Sequence, residues 1–310
     1  MSPPAIGLLS GALLVGITAP TLLLRQRGLL AAPRLGLAAW FGAAGAILVM
    51  LVLAGPITLL DPRVEAAPLA ASDVRSFVAG CVGLLHRPGV PSLITALVST
   101  GATAYIAVVL TRHALRSHRD NEAHRAELRT LGTPDPHTGI IVVEHARPLC
   151  YCLAGRPRHI VLSTAARDTL SVAQLDAVLA HERAHLTGHH HVLLTLARGL
   201  STALPFLPLF RALPEQVELL VERLADERAG TSCGRSTVAR ALVRMATHSL
   251  PDTALGATGG NLTTRMTYLL HPTAAHLGPS AMVLSPAVAL AIALGPTALL
   301  TLACQLSWAP

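Results

Sequence analysis

Two histidines four residues apart, with a glutamate directly after the first, form the segment HERAH. These residues are His181, Glu182 and His185. On a helix, residues i and i+4 lie one above the other, so both imidazoles can approach one divalent cation. Glu182 lies about 60° around the helix from His185, where it can reach a water on such a cation more easily than the cation itself. The spacing predicts a site where two imidazoles hold the ion and a carboxylate takes a proton from bound water.

Zinc is the ion that this pattern favours, and a catalytic zinc usually has three protein ligands and one open position. The candidates for the third ligand are the acids of VELLVERLADERAG, namely Glu218, Glu222 and Asp226. Their spacing of four places them on one helix face, where like charges repel unless a cation is near. The alternative is that these acids pair with Arg223 and Arg228 at the surface.

Capping signals predict the helices that position these groups. Ser171 and Gln174 form a capping box before the histidines, and Gly188 is a suitable C′ residue, so HERAH lies on a helix between them. The acids lie on a second helix, which is predicted to begin with Pro214 at N1 and to end at Gly230. The alternative for HERAH is a solvated amphipathic helix with incidental histidines.

Residues 139–163 precede the first helix and predict strands, because β-branched runs alternate with the turn-like segments EHARP and AGRPR. Cys150 and Cys152 would share one strand face, as two small buried thiols or, alternatively, as a metal-binding pair. His189–His191 follow Gly188 directly. We expect them to serve the helix end, where positive charge suits the dipole, rather than to tune the site or bind a second metal.

The composition is that of an integral membrane protein. Of the 310 residues, 52% are hydrophobic and only 13% are charged, against about 25% charged in soluble domains. The net charge of +7 comes from arginine alone and is spread along the chain with few aromatic residues, so direct nucleic-acid binding is not expected. The scatter of five cysteines argues against a disulfide framework.

Four uncharged stretches are long enough to cross about 30 Å of hydrocarbon. They are residues 3–24, 35–60, 88–111 and 277–310. The last is either one kinked helix or a tight hairpin, and the apolar run 199–210 fits a buried or interfacial helix better than a span. Arginine density places the N-terminus outside and the polar region in the cytoplasm. The predicted domains are 1–111 with three spans, 112–276 as the polar domain, and 277–310 as the last span.

HERAH followed by ERLAD resembles the gluzincin metallopeptidases, whose pattern is H-E-x-x-H with a later E-x-x-x-D. The resemblance implies an α+β zincin-like domain in which Glu222 is the third zinc ligand and Asp226 steadies the site from outside the ligand shell. It also implies an edge strand that receives an extended substrate peptide. The layout is similar to that of BlaR/MecR-type membrane metallopeptidases, with Arg265 in the place of a recurrent arginine.

The sequence therefore predicts a mostly α-helical, multi-pass protein of the cell membrane with a zinc endopeptidase domain inserted before its last span. In the family's terms the substrate is a protein or peptide, such as a transcriptional repressor whose cleavage transmits a signal. Two alternatives stay open. One is membrane protein quality control, as in HtpX/CAAX-type proteases, and the other is a non-catalytic receptor with a structural zinc.

Overall fold

The computed structural model describes residues 3–59, 90–135, 138–155, 157–249 and 255–271. Within these ranges, three helices are long and apolar enough to cross a membrane. The helices of this part are α1 (Pro3–Arg25), the short α2 (Arg27–Ala31), α3 (Pro33–Ala54) and α4 (Val90–Leu131). The three long ones are α1, α3 and α4, and a 3₁₀ turn, Pro56–Leu59, follows α3.

The observed helices agree with three of the predicted spans. The stretches 3–24 and 35–60 correspond to α1 and to α3 with its following turn. The stretch 88–111 corresponds to the first half of α4, which continues without a break to Leu131. This one helix therefore extends from the third predicted span into the polar region. The predicted span 277–310 lies outside the described residues.

Four short strands form one mixed sheet in the order β1-β2-β4-β3. They are β1 (Gly132–Pro134), β2 (Ile140–Val143), β3 (Cys150–Leu153) and β4 (His159–Ser163). β2 and β4 are parallel, whereas β1 and β3 run antiparallel to their neighbours. The strands predicted within 139–163 are confirmed, and β3 lies at one edge. β1 was not predicted, because three residues that include a glycine and a proline give no strand pattern.

The remaining helices follow the sheet. They are α5 (Thr164–Thr169), α6 (Val172–Thr187), α7 (His190–Ala203), α8 (Pro208–Cys233), α9 (Arg235–Ser249) and α10 (Leu255–Leu270). The predicted capping box starts α6, because Ser171 and Gln174 each accept a hydrogen bond from the other's backbone N–H. Gly188 is the C-cap with a right-handed backbone, and the left-handed conformation falls on His189 at φ 52°. The assignment of Gly188 as C′ was therefore wrong by one residue.

The apolar run 199–210 was expected to form a buried or interfacial helix. Most of it is buried, but Pro205 and Phe206 are exposed, and the run is not a single helix. α7 ends at Ala203, the chain turns over residues 204–207, and α8 begins at Pro208. Pro205 disfavours helical dihedrals at the residue before it, and Pro208 has the fixed φ that suits a first helical position. We refer to α7, this turn and α8 as the α7–α8 hairpin.

The start of α8 differs from the predicted one. The helix begins at Pro208 and contains Pro214, the residue predicted at N1, in its interior. Pro214 cannot donate to the carbonyl of Phe210, which weakens the ladder at this point. Because Phe210 and Leu213 are both fully buried, tertiary packing holds the first turns of α8 in spite of this loss.

Buried residues connect the helices α1, α3 and α4, which we call the apolar bundle, with the polar region. The largest cluster of buried residues comes from α1, α3, α4, α7 and the first half of α8. A second cluster packs the sheet against α6. α8 thus belongs to the apolar bundle at its beginning and lies against α6 further along.

Candidate metal centre

His181 and His185 on α6 meet Glu222 on α8 at one point. The Nε2 atoms of the two histidines are 3.0 Å apart. The Glu222 carboxylate lies 3.4 Å from His181 Nε2 and 3.3 Å from His185 Nε2. Within the described ranges, these three residues form the cluster able to hold a metal ion. The structure therefore brings together the three ligands expected from the sequence and its resemblance.

The geometry of this cluster fits zinc. Two ligands bound at 2.0–2.1 Å and separated by a tetrahedral angle lie about 3.3 Å apart, and the observed separations are 3.0 to 3.4 Å. Two imidazoles and one carboxylate are also ligand types that zinc prefers. A set of three leaves a fourth coordination position open, as a catalytic site requires.

The electrostatics of the cluster favour a cation. Burial alone would lower the pKa of His181, but contacts with Asp226 and Glu222 raise it to about 9. Burial would raise the pKa of Glu222, yet hydrogen bonds from His181 and His185 and the charge of Arg265 hold it well below its usual range. The carboxylates thus draw a proton onto His181, and a divalent ion would displace that proton on binding.

Asp226 and Arg265 contact the candidate ligands His181 and Glu222 without being ligands themselves. Asp226 is fully buried, one turn after Glu222, and its Oδ1 lies 3.0 Å from His181 Nδ1. Arg265, on α10, donates to both Asp226 oxygens, from Nε at 2.8 Å and from Nη2 at 2.7 Å. Its Nη1 lies 2.9 Å from Glu222 Oε2. One guanidinium thereby fixes both acids of the ERLAD segment.

The charges of this pair stabilise each other. Burial would raise the pKa of Asp226, but hydrogen bonds from Arg265 and His181 bring it below its usual value. Burial would likewise lower the pKa of Arg265, and its bonds to Asp226 raise it. The carboxylate of Asp226 is therefore ionised and lies 3.0 Å from His181 Nδ1, where its charge favours a proton on Nδ1 and leaves Nε2 for a metal.

Glu182 lines a cleft beside the three ligands. The cleft has a volume of about 370 Å³ and lies between β3, α6, α8, α9 and α10. Its walls are mainly apolar, with Val178, Leu242 and Met245 among the lining residues. Burial raises the pKa of Glu182, and the neighbouring His181 and His185 limit this rise. A carboxylate whose pKa lies closer to neutrality is better matched to proton transfer.

Cys150 and Cys152 face this cleft from the edge strand β3. Burial, followed by the charge of Glu182, raises the pKa of Cys152 to about 12. The same two causes raise the pKa of Cys150. Both side chains therefore remain neutral thiols at physiological pH. They are partly buried against the core cluster of the sheet, so the pair is less enclosed than the small buried thiols expected from the sequence.

His190 belongs to the site, although the sequence analysis assigned the three histidines 189–191 to the helix end. Its side chain is buried, and its Nδ1 lies 2.9 Å from Nδ1 of His185. Burial, then the charges of His185 and Arg228, lowers its pKa to about 4. The neutral ring can therefore accept the Nδ1–H of His185, which directs Nε2 of His185 toward the metal position.

The backbone around His190 explains why sequence reasoning missed it. A Cβ at Gly188 would lie 2.6 Å from His190 Cδ2, so only glycine leaves room for the ring. The left-handed residue His189 then turns the chain back toward α6. At the end of α6, Arg228 donates to the carbonyl of Ala184 at 3.4 Å and to the hydroxyl of Thr187 at 3.1 Å.

His190→Ala is expected to weaken zinc binding by about 10- to 100-fold, the usual effect of removing a group that orients a ligand. Competition with a chromophoric chelator measures this affinity. His190→Gln keeps a hydrogen-bond acceptor and should recover part of the loss. His191→Ala, at the adjacent exposed position, is the matched control and should bind zinc as the wild type does. Equal affinity of wild type and His190→Ala would remove the assigned role.

Glu218 and Arg223, the remaining groups considered for this helix face, differ in their surroundings. Glu218 is half-exposed and lies 3.8 Å from Arg198, away from the ligands. Arg223, which the sequence offered as a surface partner for the acids, is buried, with Glu227 at 3.5 Å and the Tyr268 ring at 4.0 Å. The structure thus separates Glu222 and Asp226 from Glu218.

Comparison with known proteins gives an independent finding. Residues 116–246 match the family model for Peptidase family M48. No curated protein and no solved structure gives a significant match. The matched segment contains HERAH and ERLAD and ends before Arg265. It is therefore similar to a family of metallopeptidases, and the apolar helices α1, α3 and α4 indicate association with a membrane.

Proposed function

We propose that this protein is a multi-pass membrane zinc endopeptidase. The observation that carries the proposal is the convergence of His181, His185 and Glu222 on one point at the wall of a cleft that also contains Glu182. A structural zinc is usually closed by four protein ligands. Three ligands beside a general base in an open cleft favour hydrolysis over the alternative of a non-catalytic receptor.

The proposed reaction is hydrolysis of a peptide bond. His181, His185 and Glu222 would hold a zinc ion, which would supply Lewis acidity to the scissile carbonyl and to the attacking water. Glu182 accepts the proton of the attacking water and then gives it to the leaving amine nitrogen. Asp226 and His190 hold the two imidazoles in the tautomers that keep both Nε2 atoms available.

The edge strand β3 supplies a place for the substrate backbone. β3 pairs with β4 through residues 150–153, and Cys150 and Cys152 of the same strand line the cleft. An extended peptide can add to such an edge by main-chain hydrogen bonds, which are independent of its sequence. We therefore propose a protein or peptide substrate that is extended at the scissile bond.

The cellular role is proposed from the resemblance to BlaR/MecR-type proteins. In this role the polar domain lies in the cytoplasm and cleaves a regulator such as a transcriptional repressor. Membrane protein quality control is the alternative, and the M48 match is compatible with both. Dependence of a linked repressor's cleavage on this protein would favour signalling, whereas accumulation of damaged membrane proteins on its loss would favour quality control.

Removal of zinc tests the proposed activity. We expect purified protein in detergent to cleave an unstructured protein such as casein, to lose this activity with a chelator, and to regain it when zinc is restored. The reason is that three protein ligands without an ion leave only the general base. Release of peptides measures the activity. Cleavage that persists at full rate after the chelator has removed all metal would contradict the proposal.

A further inference from the structure

We propose that the α7–α8 hairpin is a re-entrant membrane segment whose turn, residues 204–207, lies in the hydrocarbon core of the bilayer. The inference rests on the proposed placement of α1, α3 and α4 across the membrane. It adds a lipid-embedded element that lies within the peptidase region, between HERAH and ERLAD.

The depth of the turn follows from its contact with α1. A Cβ added at Gly16 would lie 2.9 Å from Leu207 Cδ2, so Leu207 packs directly on the α1 backbone. Gly16 is nine residues from Arg25, the last residue of α1, which corresponds to about 13 Å along a helix. The hydrocarbon core is about 30 Å thick. Leu207 therefore reaches a depth near the middle of the bilayer.

α7 packs alongside α4. Later residues of α7 contact earlier residues of α4, which lie deeper in the proposed membrane. A Cβ at Gly199 would lie 2.8 Å from Leu110 Cδ2, at the end of the third predicted span. Further along, Leu204 and Phe206 line an apolar cavity of about 330 Å³ together with Tyr105. The two helices thus run antiparallel, with the turn inside the span.

α8 leaves the bundle in the opposite direction. Leu220 lies against Gly36, near the start of α3, where a Cβ would come within 2.7 Å of Leu220 Cδ2. Arg223 is next to the carbonyl of Leu30 in α2, the connection between the first two spans. The hairpin therefore returns to the end of the bundle from which it entered, as a re-entrant segment does.

The chemistry of the turn suits hydrocarbon. Backbone N–H groups need partners in lipid, and Pro205 and Pro208 have none to satisfy. The N–H groups of Leu204 and Leu207 bond within the hairpin, to Leu200 O at 3.0 Å and to Leu204 O at 3.2 Å. Phe206 is 71% exposed. A large aromatic ring exposed between two prolines is unfavourable in water and favourable in lipid.

Charged residues bound this apolar segment on both sides. Residues 199–210 contain no charged side chain and lie between Arg198 and Arg211. Arg211 is one turn past the start of α8, and a long arginine side chain at this position can extend toward the headgroups. Because α8 is continuous from the turn to Glu222, the bilayer also fixes the height of the metal centre, which lies near the membrane surface.

Quenching of tryptophan by brominated lipids tests the depth of the turn. In the full chain, Trp40→Phe and Trp308→Phe remove the native tryptophans, and retained zinc binding shows that this background is folded. Phe206→Trp, Leu13→Trp and Val243→Trp then place single probes at the turn, on the exposed side of α1 and on the exposed side of α9. Each variant is reconstituted in phosphatidylcholine vesicles brominated near the ends of the acyl chains.

We expect Phe206→Trp and Leu13→Trp to lose most of their emission and Val243→Trp to keep it. Quenching of Leu13→Trp with full emission from Phe206→Trp would overturn the re-entrant hairpin alone. Full emission from both would overturn the membrane placement of α1, and with it this inference.

Labelling in an otherwise wild-type chain provides a second measurement. Phe206→Cys should add no reaction with a water-soluble maleimide above the background of native thiols until detergent and denaturant are added. Val243→Cys should add one label at once. Rapid labelling of Phe206→Cys in intact vesicles would contradict the proposal.

Discussion

Glu182→Gln is expected to bind zinc as tightly as the wild type and to lose peptidase activity by at least about 10²-fold, the lower end of what a general base contributes. The amide has nearly the same size as the carboxylate and cannot accept the proton of the attacking water. The three proposed ligands are unchanged, so the zinc site should persist. Zinc content and the rate of peptide release, measured on the same preparation, separate the two properties.

A matched substitution controls for the loss of an acid as such. Glu218→Gln removes one negative charge from α8, but Glu218 is half-exposed and lies on the Arg198 side rather than in the cleft. This variant should retain both zinc and activity. If Glu182→Gln cleaves peptides at the wild-type rate, Glu182 is not the general base.

Arg265→Met is expected to lower the free energy of unfolding by about 3–5 kcal/mol, the effect of breaking a buried ion pair from one side. Asp226 is fully buried and receives two of its hydrogen bonds from Arg265. Without the arginine its charge is left without that compensation, and the Nη1 contact to Glu222 is lost as well. Denaturant unfolding of the zinc-loaded protein in detergent measures the change.

A double-mutant cycle isolates the pair from general effects of substitution. Arg265→Met combined with Asp226→Asn removes both charges, so its cost should be clearly smaller than the sum of the two single changes. Arg198→Met is the control, because its partner is 3.8 Å away and both side chains are at least half-exposed. It should cost no more than about 1 kcal/mol. Additive effects of Arg265→Met and Asp226→Asn would show that the pair is not coupled.

The elements that carry the chemistry were predictable where local signals decide them. The capping box at Ser171 set the start of α6, and the spacing of His181 and His185 fixed their common face. Strands β2 to β4 followed from β-branched runs between turn segments. The resemblance to gluzincins then selected Glu222 among three equally spaced acids, because spacing alone did not distinguish it from Glu218.

The features that the sequence did not reveal depend on tertiary packing. Pro214 signals a helix start, yet burial of Phe210 and Leu213 against the bundle extends α8 back to Pro208. The role of His190 depends on the left-handed backbone of His189, a conformation that is uncommon for residues other than glycine. Arg265 is 39 residues from Asp226 along the chain. The resemblance pointed to it, but only the fold shows that it contacts both acids.

Zinc affinity of Glu222→Ala, compared with the wild type, tests most directly whether α6 and α8 share one ion. Glu218→Ala on the same helix is the matched control. Competition with a chelator should give one tightly bound zinc per chain in the wild type and in Glu218→Ala, and a large loss of affinity in Glu222→Ala. The reason is that two imidazoles from a single helix provide only part of the ligand set. An unchanged affinity in Glu222→Ala would contradict the account, since the ion would then not depend on α8.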